Sequence, residues 1–195
     1  MKTPVLYPLL AAWLLSTAMA VAPRDNLDRT DIFPGAVQPG ESNPQYNLSS
    51  DGFDGPKVSR INNDTYDWWS IATFANDSKA SAVVNFFMAT SRGFPLLPER
   101  PTVLTATISG TDRNGMPFGS SFNADQAVIE TRGNGSSGDF EGTGFSWKGN
   151  PQMTEYVVTI EKGDINGSLT LKSVGVDYLC PLRLRNAYLF GTRHR

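Results

Sequence analysis

Residues Tyr66–Thr90 read YDWWSIATFANDSKASAVVNFFMAT, two apolar runs around a short polar turn. An acid, Asp67, stands against two tryptophans, and a single amide, Asn85, stands among Val, Phe and Met. An acid beside a large apolar surface is poorly hydrated. Its pKa rises and it can donate a proton at neutral pH. The same position also suits a strand-start residue bonded to backbone amides. The aromatics read either as ordinary core or as the wall of a pocket for an apolar ligand. Other chemistries find little here. The one histidine is His194 and the one thiol Cys180, so no cluster of about three ligands suited to catalytic zinc is visible. No embedded His is available to activate a serine. The glycine-rich GNGSSG stretch lacks the lysine and following helix of a phosphate loop. The carboxylates Asp125, Glu130, Asp139, Glu141, Glu155 and Glu161 lie mostly near strand ends, where acids are solvated.

The elements that would carry these residues are short strands. Alternation and turn signals place strands at 67–74, 82–90, 102–109, 117–122, 127–131, 140–148, 155–161 and 168–173. The turn at 76–79 and the Asn114-Gly115 pair are hairpin signals. RGNGSSGD at 132–139 reads as a flexible loop, and the glycines within 140–148 as a bulge or bend. No helix stands out beyond the N-terminal segment. Eight antiparallel strands in succession bury themselves as a barrel or as a two-sheet sandwich. A barrel of this size can hold one small ligand. The 195 residues suggest a single domain. Seventeen basic against nineteen acidic residues give no surplus of positive charge that would favour nucleic acid.

The ends are read separately. Residues 1–20 combine Lys2, an apolar run from Val5 to Leu15 and a small-residue ending at Ala18-Met19-Ala20, the pattern of a secretory signal peptide. That run is shorter than the roughly 20 residues a membrane-spanning helix needs. Asn47, Asn63, Asn76, Asn134 and Asn166 each open an Asn-X-Ser/Thr sequon, which suits a secreted or luminal glycoprotein. Residues 21–50 read as an irregular leader, 51–180 as the β domain and 181–195 as an irregular basic tail. A lone cysteine offers no internal disulfide.

Three segments together carry a resemblance: Asp67-Trp68-Trp69 opening a strand, NDSKASAVVNFF at 76–87, and GSLTLKSV at 167–174 ahead of Tyr178 and Cys180. Over roughly residues 55–180 the chain resembles the N-terminal half of the fungal lipocalin-like family related to hydroxyneurosporene synthase, which includes Diels–Alderases. The resemblance implies an antiparallel lipocalin-like barrel or sandwich. It also implies a second β domain with substrate held between the two, and an apolar polyene or polyketide as ligand. Ser70-Ile71-Ala72 stands where relatives carry Tyr-Phe-Asp, so a phenol and a carboxylate are missing. The early end implies a truncated or mis-spliced gene model, or a degenerate copy.

The implied reaction is an intramolecular [4+2] cycloaddition of a polyketide or polyketide–peptide intermediate. It needs no cofactor or metal, only a folded substrate and one or two hydrogen-bond donors at a carbonyl. On that reading Asp67 is the catalytic candidate, and Trp69, Asn85 and Trp147 are the substrate-binding ones. A hydratase or carbocyclase of the same family, a non-catalytic carrier of apolar ligands and an inactive remnant are the alternatives.

Overall fold

A computed structural model describes residues 28–43, 52–76 and 79–173. The signal segment, residues 21–27 and 44–50 of the leader, and the basic tail lie outside them. Ten strands form: β1 (Arg29–Pro34), β2 (Tyr66–Phe74), β3 (Ser81–Ala89), β4 (Leu104–Thr111), β5 (Pro117–Asn123), β6 (Gln126–Arg132), β7 (Gly135–Phe140), β8 (Phe145–Gly149), β9 (Glu155–Lys162) and β10 (Ile165–Lys172). They make two antiparallel sheets, β1-β6-β7-β8-β9-β10 and β2-β3-β4-β5. The all-β, antiparallel class expected from the sequence holds, and the two sheets form a sandwich.

Side-chain alternation fixes which face is inside. Trp69 and Ile71 of β2, Val84, Phe86 and Met88 of β3, and Leu104, Ala106 and Ile108 of β4 turn inward and are buried. They meet Ile129, Phe140, Phe145, Trp147, Tyr156, Val158 and Ile160 from the larger sheet. The centre is aromatic. The Trp147 ring lies 4.5 Å from Phe86 and 4.8 Å from Trp69, and Phe86 meets Phe140 edge-on at 5.2 Å.

Three sequence expectations need correction. Part of the leader is a strand: β1 pairs with β6 from Arg29↔Thr131 to Pro34↔Gln126. The stretch read as a flexible loop is a tight turn at Gly133-Asn134 followed by β7. Its Gly and Ser residues are small because bulky neighbours lie against them; a Cβ on Gly138 would stand 2.1 Å from the Trp147 ring. The strand expected over 140–148 breaks at a turn through Glu141–Gly144. Gly142 and Gly144 there take φ of +84° and +75°, a region costly for other residues.

Candidate functional site

The candidate residues divide between two faces of the small sheet. Asp67, Trp69 and Trp147 lie inside the sandwich, at 4 %, 5 % and 2 % exposure. Asn85 is on the opposite, outward face. Strand alternation accounts for the division: odd positions of β2 and even positions of β3 point inward.

Inside, the segment at 52–58 inserts Asp54 between the sheets. Gly52 N–H donates to Gly133 O, and Asp54 N–H to Asn134 O, fixing the segment on the β6–β7 turn. The Asp54 carboxyl oxygen Oδ2 then accepts from Ser136 Oγ and from Tyr156 Oη, both at 2.7 Å. The indole of Trp147 donates to Ser136 Oγ at 3.1 Å, and that of Trp69 to the Asp54 carbonyl at 3.0 Å. One buried acid thus joins β2, β7, β8 and β9. Buried polar groups need such partners, and here they also lock the two tryptophans in place. In this arrangement Trp69 and Trp147 belong to the core; to touch a ligand they would need the sheets to part. The sequence reading missed Asp54, Ser136 and Tyr156. Tyr156 had a signal, because EYVVTIE alternates Tyr156, Val158 and Ile160 on one face, and a buried tyrosine hydroxyl needs a partner. Asp54 and Ser136 sit in stretches with no period.

Asp67 lies at the start of β2. Its Oδ2 accepts from Lys57 N–H at 2.6 Å and its Oδ1 from Trp68 N–H at 2.9 Å. Burial pushes its pKa up from 3.8 to about 6, against the opposing pull of the Lys57 and Trp68 amides and the Lys57 charge; the nearby Asp54 adds to the rise. Both original readings of Asp67 therefore describe one group, a strand-start acid on backbone amides that is also poorly hydrated. Stability follows from the sign. Between pH 4 and 6 the folded protein keeps a proton that the unfolded chain releases. Stability from this group is thus full below about pH 4 and falls as pH rises through 6, by about 2–3 kcal/mol in all. Urea unfolding from pH 4 to pH 8 should show this fall, and Asp67→Asn should flatten it. Identical slopes in the two proteins would contradict the assignment.

Outside, the small sheet presents two adjoining surfaces. Tyr66, Trp68 and Phe87 gather around Phe94, which folds back from the segment after β3. Phe94 lies 5.2 Å from Tyr66, 5.5 Å from Trp68 and 6.1 Å from Phe87. The next cross-strand row is polar: Ser70, Asn85, Thr107 and Ser121 stand directly opposite one another across all four strands. Asn85 Nδ2 donates to Thr107 Oγ1 at 3.3 Å. Rows two residues apart on one face are about 7 Å apart, so a single flat molecule spans both. The sequence showed Asn85 and Trp68, but no local pattern could bring Phe94 onto them.

A separate groove of about 460 Å³ lies at the far end of this sheet, lined by Thr73, Phe74, Ala82, Thr111, Arg113 and Phe118 among others. No group of three or more metal-binding side chains occurs among the described residues. No helix among them is long and apolar enough to cross a membrane. Of the sequon asparagines, Asn63, Asn76 and Asn166 are exposed, whereas Asn134 is half-buried in the β6–β7 turn and its Ser136 is held by Asp54. Asn47 lies outside the described residues.

No protein-family model matches the chain. Among curated proteins it is similar to the quinolone epoxide rearrangement protein asqO of Emericella nidulans, 28 % identical over 183 residues, which are 90 % of this chain and 49 % of that protein. It is also similar to the quinolone epoxide rearrangement protein penF of Penicillium thymicola, 35 % identical over 132 residues, 64 % of this chain and 36 % of that one. Its fold matches the crystal structure of CghA with Sch210972 at a TM-score of 0.61 and 20 % identity, over 75 % of this chain and 40 % of that chain. A second crystal structure of CghA matches at 0.59. The chain spans at most about half the length of these relatives. In sequence it is thus similar to two fungal quinolone epoxide rearrangement proteins and in fold to CghA, in agreement with the resemblance that its Asp67-Trp68-Trp69 strand carries.

Proposed function

We propose that this chain supplies one wall of a site in which a secondary-metabolite intermediate is folded for ring closure or rearrangement. The observation that carries the reading is the outward face of β2–β5, where an aromatic cluster adjoins a row of four hydrogen-bonding side chains. The rings of Trp68, Phe87 and Phe94 offer an apolar bed for a polyene or fused ring. Asn85 and Thr107 offer donors to a carbonyl beside it. A site of that kind lowers a barrier by holding reacting atoms together and by stabilising charge that grows on an oxygen. The kinship with two rearrangement proteins supports an isomerising role. Within it, [4+2] cycloaddition of a polyketide or polyketide–peptide is the reaction we favour, because it asks only for folding and one or two hydrogen bonds.

On this reading the substrate-binding role expected of Asn85 stays with it, and Trp68 takes the place foreseen for Trp69. Asp67, Trp69 and Trp147 hold the sheet from beneath. The test is conversion by the purified protein of the intermediate that accumulates in a strain lacking the gene. Product and intermediate should have equal mass, since cyclisation and rearrangement neither add nor remove atoms. Tight binding without conversion would mark a carrier instead.

A further inference from the structure

Residues 94–101, between β3 and β4, read FPLLPERP. Both ends of this segment are pinned. Gly93 packs so closely on Thr65 that a Cβ there would stand 2.7 Å from the Thr65 carbonyl oxygen, and its N–H donates to Thr90 Oγ1 at 2.9 Å. At the other end Thr102 Oγ1 donates to Ala124 O and Val103 N–H to Gly35 O. Between the pins stand Pro95, Pro98 and Pro101, which have no N–H to give. Among the described residues, the hydrogen bond formed by 95–101 is Leu97 N–H to Phe94 O, inside the segment itself. The ion pair just before it, Arg92–Asp64, is exposed, and such pairs contribute little. Arg100 Nη1 is buried with no hydrogen-bond partner, which makes the seated position costly. Phe94 is the ring that seats the segment on the outward face of the small sheet, against Tyr66, Trp68 and Phe87. A strap with pinned ends and so few hydrogen bonds opens locally at low cost.

We infer that Phe94 is a movable cap, carried on this strap, that lifts to admit a flat conjugated molecule onto Trp68. The ring distances require the movement. The Phe94 ring lies 5.5 Å from that of Trp68, tilted by 32°, and 6.1 Å from that of Phe87. Carbon atoms in contact stand about 3.5 Å apart, so a planar ligand between two rings needs about 7 Å from one to the other. The seated cap leaves less than that. Once lifted, Phe94 can close on the far side of the ligand, which then stacks on Trp68 with one face and on Phe94 with the other. A conjugated ring or polyene gains both contacts. A puckered aliphatic one is too thick for the gap. The polar row of Asn85 and Thr107 remains open beside it, so the cap acts on the apolar part of the ligand and leaves its carbonyl to the row. This use of the cap rests on the wall proposed above; the lifting of the ring does not.

Fluorine NMR of the full chain, with 4-trifluoromethylphenylalanine in place of Phe94, tests it. The free protein should show a resonance shifted by the Trp68 ring current, in exchange with a weaker and less shifted one. Trp68→Ala identifies the first by removing its shift. The intermediate that accumulates in a strain lacking the gene should drain the seated resonance. Stopped-flow binding then checks the size of the gate. If the lifted state holds about a tenth of the molecules, Phe94→Ala should speed association about tenfold, since every molecule is then open. A single shifted resonance without exchange in the free protein would overturn the inference, whatever becomes of the intermediate. So would a spectrum left unchanged by an intermediate that the protein converts, or equal association rates in wild type and Phe94→Ala. Exchange in the free protein without binding or conversion of the intermediate would uphold the movable ring and remove the wall.

Discussion

Asp54→Ala should cost the fold about 4 kcal/mol, one of the two largest losses expected from any single change in this chain. The carboxyl group accepts from the Ser136 and Tyr156 hydroxyls, and all three residues are buried. Alanine leaves both hydroxyls without that partner, at about 1–3 kcal/mol each, and opens a small void. Ser136 in turn orients toward the Trp147 indole, so the disturbance spreads to the aromatic centre. The Trp69 bond survives because it goes to the Asp54 backbone. Tyr156→Phe removes one donor and leaves the acid its bond to Ser136, so it should cost only about 1–2 kcal/mol. Urea unfolding with unchanged m-values measures both. A loss below about 1 kcal/mol for Asp54→Ala would mean that the buried acid is dispensable to the fold.

Gly138→Ala should be comparably severe, at about 3–5 kcal/mol, although it adds a single methyl group. The new carbon would stand 2.1, 2.3 and 2.6 Å from three atoms of the Trp147 ring. That ring cannot swing away, since Trp69 and Phe86 pack within 5 Å of it and its indole N–H is bonded to Ser136. The strain must therefore part β7 from β8. Gly167→Ala is the control. It too is a strand glycine, but nothing stands within 4 Å of the added carbon. It should be neutral or slightly stabilising, because alanine restricts the unfolded chain. Equal effects at the two positions would contradict the packing role given to Gly138.

These residues also mark where the sequence could be read and where it could not. Val84, Phe86 and Met88 alternate with Val83, Asn85 and Phe87, so β3 and its two faces follow from pattern alone. The hydrophobic period of 155–161 places Tyr156 inward in the same way. β7 shows no such period. It reads GSSGDF because a tryptophan from the next strand lies over its backbone, a tertiary demand that looks locally like a loop. β1 is a strand because Thr30–Phe33 finds β6 about a hundred residues later, although its own residues include Asp31 and Pro34. The site divides along the same line. Asp67 and Asn85 draw attention as polar residues in apolar runs. Which face each occupies depends on the fold, and the fold sets them on opposite sides of one sheet. Asp54 and Phe94 come from irregular segments and become legible only when those segments are docked.

We propose that the outward face of β2–β5 is the wall on which a substrate is folded. The most direct measurement is the rate at which purified protein converts the intermediate accumulated by a strain lacking the gene. Wild type is compared with Trp68→Ala and with Asn85→Leu, each first shown to be folded. Conversion to an isomer of equal mass, slowed at least about tenfold by either change, is the expected result. Conversion at the wild-type rate in both variants, or a product of different mass, would contradict it.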